Sequence, residues 1–279
     1  MSNIVKRALS GAVFIALVIG SILWHPYSFA AVFAALTAWA LLEFYHIVEN
    51  DSVHPEKWTG TLTGVFLFVA TFLYKQGCVG ANIFLWLIPL SALICIPRLY
   101  RNNEFNFRGL AYTLAGTVYI ALPFSLLSGV VFPSRAMTYS PGILIGFFAL
   151  LWTNDTFAYL SGVCFGKHRL FERISPKKSW EGFFGGLIFT LTASLLVAHF
   201  VPLSDCPATS TACFHWLVIA AIIVIFGVYG DLLESLLKRN MQIKDSGHFL
   251  PGHGGILDRF DAVLPAAPMV YFYLKIFVQ

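Results

Sequence analysis

Asp231, Glu234, Ser235 and Lys238 close a long apolar run, and their spacing puts all four on one face of a helix. A second polar group follows in the stretch PGHGGILDRFD, Pro251 to Asp261. Asp258 and Asp261 are one helical turn apart there and are expected on one face at the start of the next helix, where the dipole favours carboxylates. Gly252, Gly254 and Gly255 remove side chains where a backbone must come close to something, as phosphates require. Carboxylates hold a hard divalent cation, and Lys and Arg pair with phosphate oxygens. With a Gly-rich turn, these are the parts of phosphoryl or nucleotidyl transfer, where positioning and charge neutralisation supply most of the rate. Mg²⁺ is the expected ion, because it takes one or two carboxylates and leaves its other positions to water and phosphate.

A plainer reading stays open, in which Asp258 and Asp261 cap a helix and Lys238 and Arg239 only fix the topology. It leaves Asp231 unexplained, since a carboxylate beside hydrocarbon needs a partner or a function. Asp155 in NDTFAYL raises the same question, with a hydrogen-bonded polar residue between helices as the alternative. Ser175 and Pro176 read as an N-cap followed by the first helical residue. Lys177 and Lys178 would then stand at a helix N-terminus, which attracts anions; otherwise they are topogenic lysines.

The elements that must position these groups are membrane helices. The chain of 279 residues is 58% hydrophobic and 11% charged, with 27 Phe, and its mean hydropathy of +0.75 excludes a soluble globular domain. Apolar runs of roughly 17 to 25 residues, enough to span a bilayer, lie near 8–24, 27–47, 58–74, 80–97, 110–132, 143–164, 182–201, 213–236 and 262–277. The expected fold is therefore all-α and polytopic, with about nine transmembrane helices and a cytoplasmic N-terminus. With that topology every Lys and Arg lies inside except Lys75, Arg135 and the intramembrane Lys275. The first run reads as a retained helix, since no small-residue cleavage site follows it. Plain N-terminal helices are expected over 1–140 and a catalytic region over 141–279, with cytoplasmic loops at 165–181 and 237–260. The Gly pairs Gly142/Gly146, Gly162/Gly166 and Gly182/Gly186 fit close helix packing. Five Cys show no C-x-x-C spacing, which argues against zinc or iron–sulfur, while Cys206 and Cys213 share an outside loop and either pair or stay free.

From Ser235 to Asp261, with Lys238, Arg239, Lys244, Asp245, Gly247, Pro251, His253, Gly254, Gly255, Asp258 and Arg259 in register, the chain resembles the phosphatidate cytidylyltransferases (CDP-diacylglycerol synthases). The block Asn154 to Gly186 is similar to that family's upstream motif. The resemblance implies that CTP and phosphatidic acid give CDP-diacylglycerol and pyrophosphate at the cytoplasmic face of a bacterial inner membrane. It implies Mg²⁺ on Asp231 and Asp258, with room for a second metal or a monovalent cation, and a homodimer. Lys238, Arg239, Lys244 and Arg259 would contact phosphate, and Ser175, Lys177, Lys178, Ser235, Gly254 and Gly255 would line the substrate site. Asp155, Asp245 and Asp261 would complete the metal shell or fix the basic residues. His253 binds phosphate, orients a ligand or is uninvolved. The lipid phosphate is already anionic, so no Ser or Cys nucleophile is needed. No nucleic-acid partner is expected. The rivals are a CTP-dependent polyprenol or phytol kinase, and an ion-coupled transporter using Asp155 and Asp231. A CDP-alcohol phosphotransferase is disfavoured, since its D-G-x-x-A-R pattern is absent.

Overall fold

The computed structural model describes residues 3–50, 53–99, 107–133, 138–203, 209–243, 246–247 and 254–278. The protein is mostly helical. In chain order the elements are α1 (Asn3–Trp24), α2 (Pro26–Val48), α3 (Lys57–Lys75), a 3₁₀ turn (Ala81–Trp86), α4 (Leu87–Leu99), α5 (Phe107–Gly116), a π turn (Thr117–Ala121) and α6 (Leu122–Val131). Then come α7 (Pro141–Phe165), β1 (Arg169–Phe171), β2 (Ser175–Ser179), α8 (Trp180–Phe200), α9 (Thr209–Asn240), α10 (Leu257–Phe260), α11 (Val263–Tyr273) and a closing π turn (Leu274–Val278).

Each of the nine apolar runs overlaps helix. Six stretches, Pro26–Val48, Phe107–Val131, Pro141–Phe165, Trp180–Phe200, Thr211–Asn240 and Leu257–Val278, are long and apolar enough to cross a membrane. The others are α1, whose apolar part is Ser10–Trp24, α3, and the stretch from Ala81 that begins as a 3₁₀ turn before α4. An all-α integral membrane protein is built from such helices.

The contacts divide the chain into two compact units, Met1–Gly129 with Met241–Phe260, and Val130–Asn240 with Asp261–Gln279. The first unit has an aromatic core. Phe33 of α2 lies with its ring centroid 6.4 Å from those of Phe124 and Phe260, and the latter two are 5.0 Å apart. Phe260 and Leu257 are buried, so α10 is seated by its own apolar side chains although it is only four residues long. The buried Tyr45 donates to the Thr113 carbonyl at 2.9 Å, and Gly60 and Gly116 leave room for its ring. At α2 the N-cap is His25: its Nδ1 accepts from Tyr27 N, Ser28 Oγ accepts from His25 N, and Pro26 takes the first helical position.

In the second unit α7 packs along α8. Gly182, Gly185 and Gly186 lie against the Ala158 carbonyl, Ser161 and Asn154, so closely that a Cβ at any of the three would overlap them. Between membrane helices the driving force is packing of this kind, because lipid tails are as apolar as Leu. Gly146 of α7 likewise accommodates the ring of Trp216 from α9, whose Nε1 donates to the Val201 carbonyl at 3.0 Å. The link from α7 to α8 is an antiparallel hairpin of β1 and β2.

That hairpin corrects the reading of Ser175 as an N-cap. Ser175 to Ser179 are strand, and the N-cap of α8 is Ser179, whose hydroxyl accepts from Gly182 N at 3.1 Å. Ser179 has an acidic residue, Glu181, in the first turn after it, as a helix start favours, and Pro176 has no N–H to lose on a strand.

The α7–α8 seam makes a stability prediction. Gly182→Leu should lower the Tm of the detergent-purified protein by about 5 °C, the cost of overpacking. Gly20→Leu, where a Cβ meets nothing within 4 Å, should leave it unchanged. Equal Tm for both variants would contradict the seam.

Candidate active site

Three carboxylates of the second unit lie near enough to feel one another's charge. Asp155 is carried by α7, Asp231 by α9, and Asp261 stands in the turn just before α11. Asp155 is close enough to Asp231 and Lys178 to interact with both charges, and Asp261 interacts with Asp231 and Asp155. Two features bring them together. At Gly230 a Cβ would fall on the Asp261 carbonyl and the Pro265 ring, so α9 touches the approach to α11 one residue before Asp231. On the other side, the hairpin delivers Lys178, whose Nζ lies 2.5 Å from Asp231 Oδ2.

The expected face of α9 is present. The helix runs through to Asn240, Ser235 Oγ donates to Asp231 Oδ1 at 3.5 Å, and Lys238 Nζ lies 3.4 Å from the buried Glu234. Glu234 also comes within hydrogen-bonding reach of Asp261. Arg239 and Lys177 are exposed, and Ser175 is half-buried.

Asp258 and Asp261 do not share a helix, contrary to expectation. α10 ends at Phe260, residues 261 and 262 form a turn, and α11 starts at Val263. Pro265 has no N–H for the Asp261 carbonyl one turn back, and Asp261 Oδ1 accepts from Ala262 N at 2.7 Å instead. The two aspartates also belong to different units, Asp258 to the first and Asp261 to the second.

Asp258 therefore has its own surroundings. Its Oδ2 accepts from Ser246 N at 3.0 Å and from Gly255 N at 2.9 Å, while Asp258 N donates to Ser246 Oγ at 3.3 Å. A side chain at Gly254, whose φ is +80°, would fall on the Asp258 carboxylate, and one at Gly255 on Ser246 and Glu43. Both glycines are thus required by the protein's own side chains, whatever else approaches them. Arg259 is exposed. Lys244, Asp245, Gly252 and His253 lie outside the described residues, as does Cys206 and with it the pairing with Cys213.

Sequence reasoning missed Glu43, Glu234 as a neighbour of Asp261, and the brace between His168 and Glu181. In that brace Glu181 Oε1 lies 2.7 Å from His168 Nδ1, and both its oxygens accept from His168 N at 3.2 Å. Glu43 sits in an apolar helix with no motif near it. Its signal was the cost of a carboxylate in such a setting, the argument already applied to Asp155.

The donors suit Mg²⁺. Among the described residues no group of three or more His, Cys, Asp or Glu is arranged to hold a metal by itself. The hard oxygens of Asp155, Asp231 and Asp261 are the kind of which Mg²⁺ takes one or two, the rest of its shell coming from water and phosphate.

The chain is similar to known proteins over most of its length. The model of the cytidylyltransferase family matches residues 5–277. The chain is 38% identical over 190 residues to a phosphatidate cytidylyltransferase of Staphylococcus saprophyticus, covering 67% of this chain and 68% of that protein. A protein of the same name from Staphylococcus epidermidis is 38% identical over 195 residues, and one from Staphylococcus aureus 36% over 190, each with the same coverage.

The cluster predicts a coupling between its charges. Lys178→Met leaves Asp231 facing two other carboxylates and should lower the Tm by about 2–4 °C, for a cost near 1 kcal/mol. Adding Asp231→Asn should restore at least half of that loss, because the cost is repulsion. Additive losses in thermal unfolding of the double variant would refute it.

Proposed function

The chain belongs to the cytidylyltransferase family, and from that premise we propose that it transfers the cytidylyl group of CTP to phosphatidic acid, giving CDP-diacylglycerol and pyrophosphate. An oxygen of the lipid phosphate attacks the α-phosphorus of CTP, and the bond to pyrophosphate breaks. The observation that carries this reading is the carboxylate cluster of Asp155, Asp231 and Asp261 beside Lys178. It joins hard-cation ligands to a phosphate-pairing group.

Asp231 and Asp258 are the proposed ligands of Mg²⁺, which when bound neutralises charge on the triphosphate and on departing pyrophosphate. Lys178, Lys238, Arg239 and Arg259, with Lys177 and Lys244, pair with phosphate oxygens and hold the acceptor in line. Ser235 orients Asp231. The acceptor brings its own negative oxygen, so the chain has only to bind and orient it.

We further propose nine spans with the N-terminus and the site on the cytoplasmic side of a bacterial inner membrane, and a homodimer. The distribution of Lys and Arg supports the orientation, and the acyl chains of the acceptor require a site at the headgroup plane. Chemical cross-linking in native membranes tests the dimer.

Purified protein given cytidine-labelled CTP, phosphatidic acid and Mg²⁺ should place the label in the lipid fraction. Label recovered as water-soluble CDP beside a phosphorylated lipid would mark a kinase instead. Asp231→Asn and Asp258→Asn should each insert normally and lose at least about 100-fold in kcat, the scale for removing one preorganised charge contact. Near-normal turnover of either across a Mg²⁺ titration rejects the metal assignment.

A further inference from the structure

Glu43 lies on α2 and is 8% exposed. Its Oε2 accepts from the backbone N–H of Leu257 at 3.0 Å, across 214 residues of chain, while its Oε1 has no hydrogen-bond partner among the described residues. The Trp39 side chain and the Ile256 backbone N–H also reach the carboxylate, yet burying it remains costly. Adhesion does not account for it, because α10 is already seated by Leu257 and by Phe260 against Phe33.

What the carboxylate does touch is the backbone that carries Asp258. A Cβ at Gly247 would lie 2.6 Å from Glu43 Oε1, and one at Gly255 would fall on Oε2. The same two backbone stretches are gripped by Asp258, through Ser246 N and Gly255 N. Both stretches are thus held between two carboxylates, with glycine where a side chain would part them. Glu43 fixes the residue immediately before Asp258, and Asp258 fixes the residues that face Glu43.

We propose that Glu43 is a positioning residue: it sets the backbone at 246–247 and 254–258 and through it the direction of the Asp258 carboxylate. Its consequence for turnover rests on the transferase reading above; its structural half does not.

Hydrogen exchange on the detergent-purified full chain, without nucleotide, lipid or Mg²⁺, reads the structural half. Glu43→Ala should speed exchange in peptides containing 254–258 by about tenfold or more, leaving α7 and α8 peptides as they were. Glu43→Gln keeps an acceptor for Leu257 N and should stay within about threefold of the parent. Unchanged exchange in Glu43→Ala, or equal acceleration throughout the chain, overturns the proposal. Gly247→Ala guards against a misfolded Glu43→Ala: its methyl should loosen the same peptides while Glu43 is present and add nothing once Glu43 is Ala, and independent effects overturn the proposal. In the transfer assay, Glu43→Ala should raise the half-saturating Mg²⁺ concentration by about fivefold or more, and Glu43→Gln should not; an unmoved Mg²⁺ requirement overturns the functional half. If the parent makes no CDP-lipid while the exchange results hold, the transferase reading fails and the positioning role stands.

Discussion

A carboxylate set among apolar helices is stable only where a cation, a backbone N–H or a bound ion answers its charge, and the polar architecture of this protein follows from that requirement. Asp231 is answered by Lys178 from the hairpin. Asp258 is answered by two backbone amides, Asp261 by Ala262 N, and Glu181 by His168 at the start of α8. The balance is not even. Around Asp231, Asp155 and Asp261 negative charges act on one another, a balance that suits the cation proposed above.

Glycine and proline set the distances at which these charges meet. The row Gly182, Gly185 and Gly186 lets the backbones of α7 and α8 close on each other, which fixes Asp155 relative to the strand that carries Lys178. Gly230 does the same for α9 against Asp261 and Pro265. Small residues that would be unremarkable in a soluble core matter more in a membrane, where packing replaces hydrophobic burial as the source of helix association.

Much of this was legible in the sequence because two of its signals are short-range. Apolar run length marked the helices, and the spacing from Asp231 to Lys238 marked one face, which holds since α9 continues unbroken to Asn240. The failures are long-range or competitive. Asp258 and Asp261 were placed on one helix by their spacing, but Pro265 and the Asp261 side chain break it between them. Ser175 with Pro176 made a plausible cap, and lost to a hairpin pairing and to Ser179 as the better cap. The cost of burying Glu43 was legible, but the backbone it holds was not, because Leu257 lies 214 residues away. A periodicity argument cannot reach a contact of that kind.

The two aspartates proposed as metal ligands are held by opposite means. Asp231 faces Lys178 in an ion pair whose side chains are 41% and 23% exposed, a setting in which such pairs contribute about 0–1 kcal/mol. An attachment that weak can be traded for a phosphate or a cation at little cost. Asp258 is pinned by backbone N–H groups that cannot leave without unmaking the turn, so its carboxylate keeps its direction whether or not a ligand is present. In the proposed transfer, a group fixed in advance spares reorganisation, and a group whose partner is free to exchange lets a polyanion enter and leave.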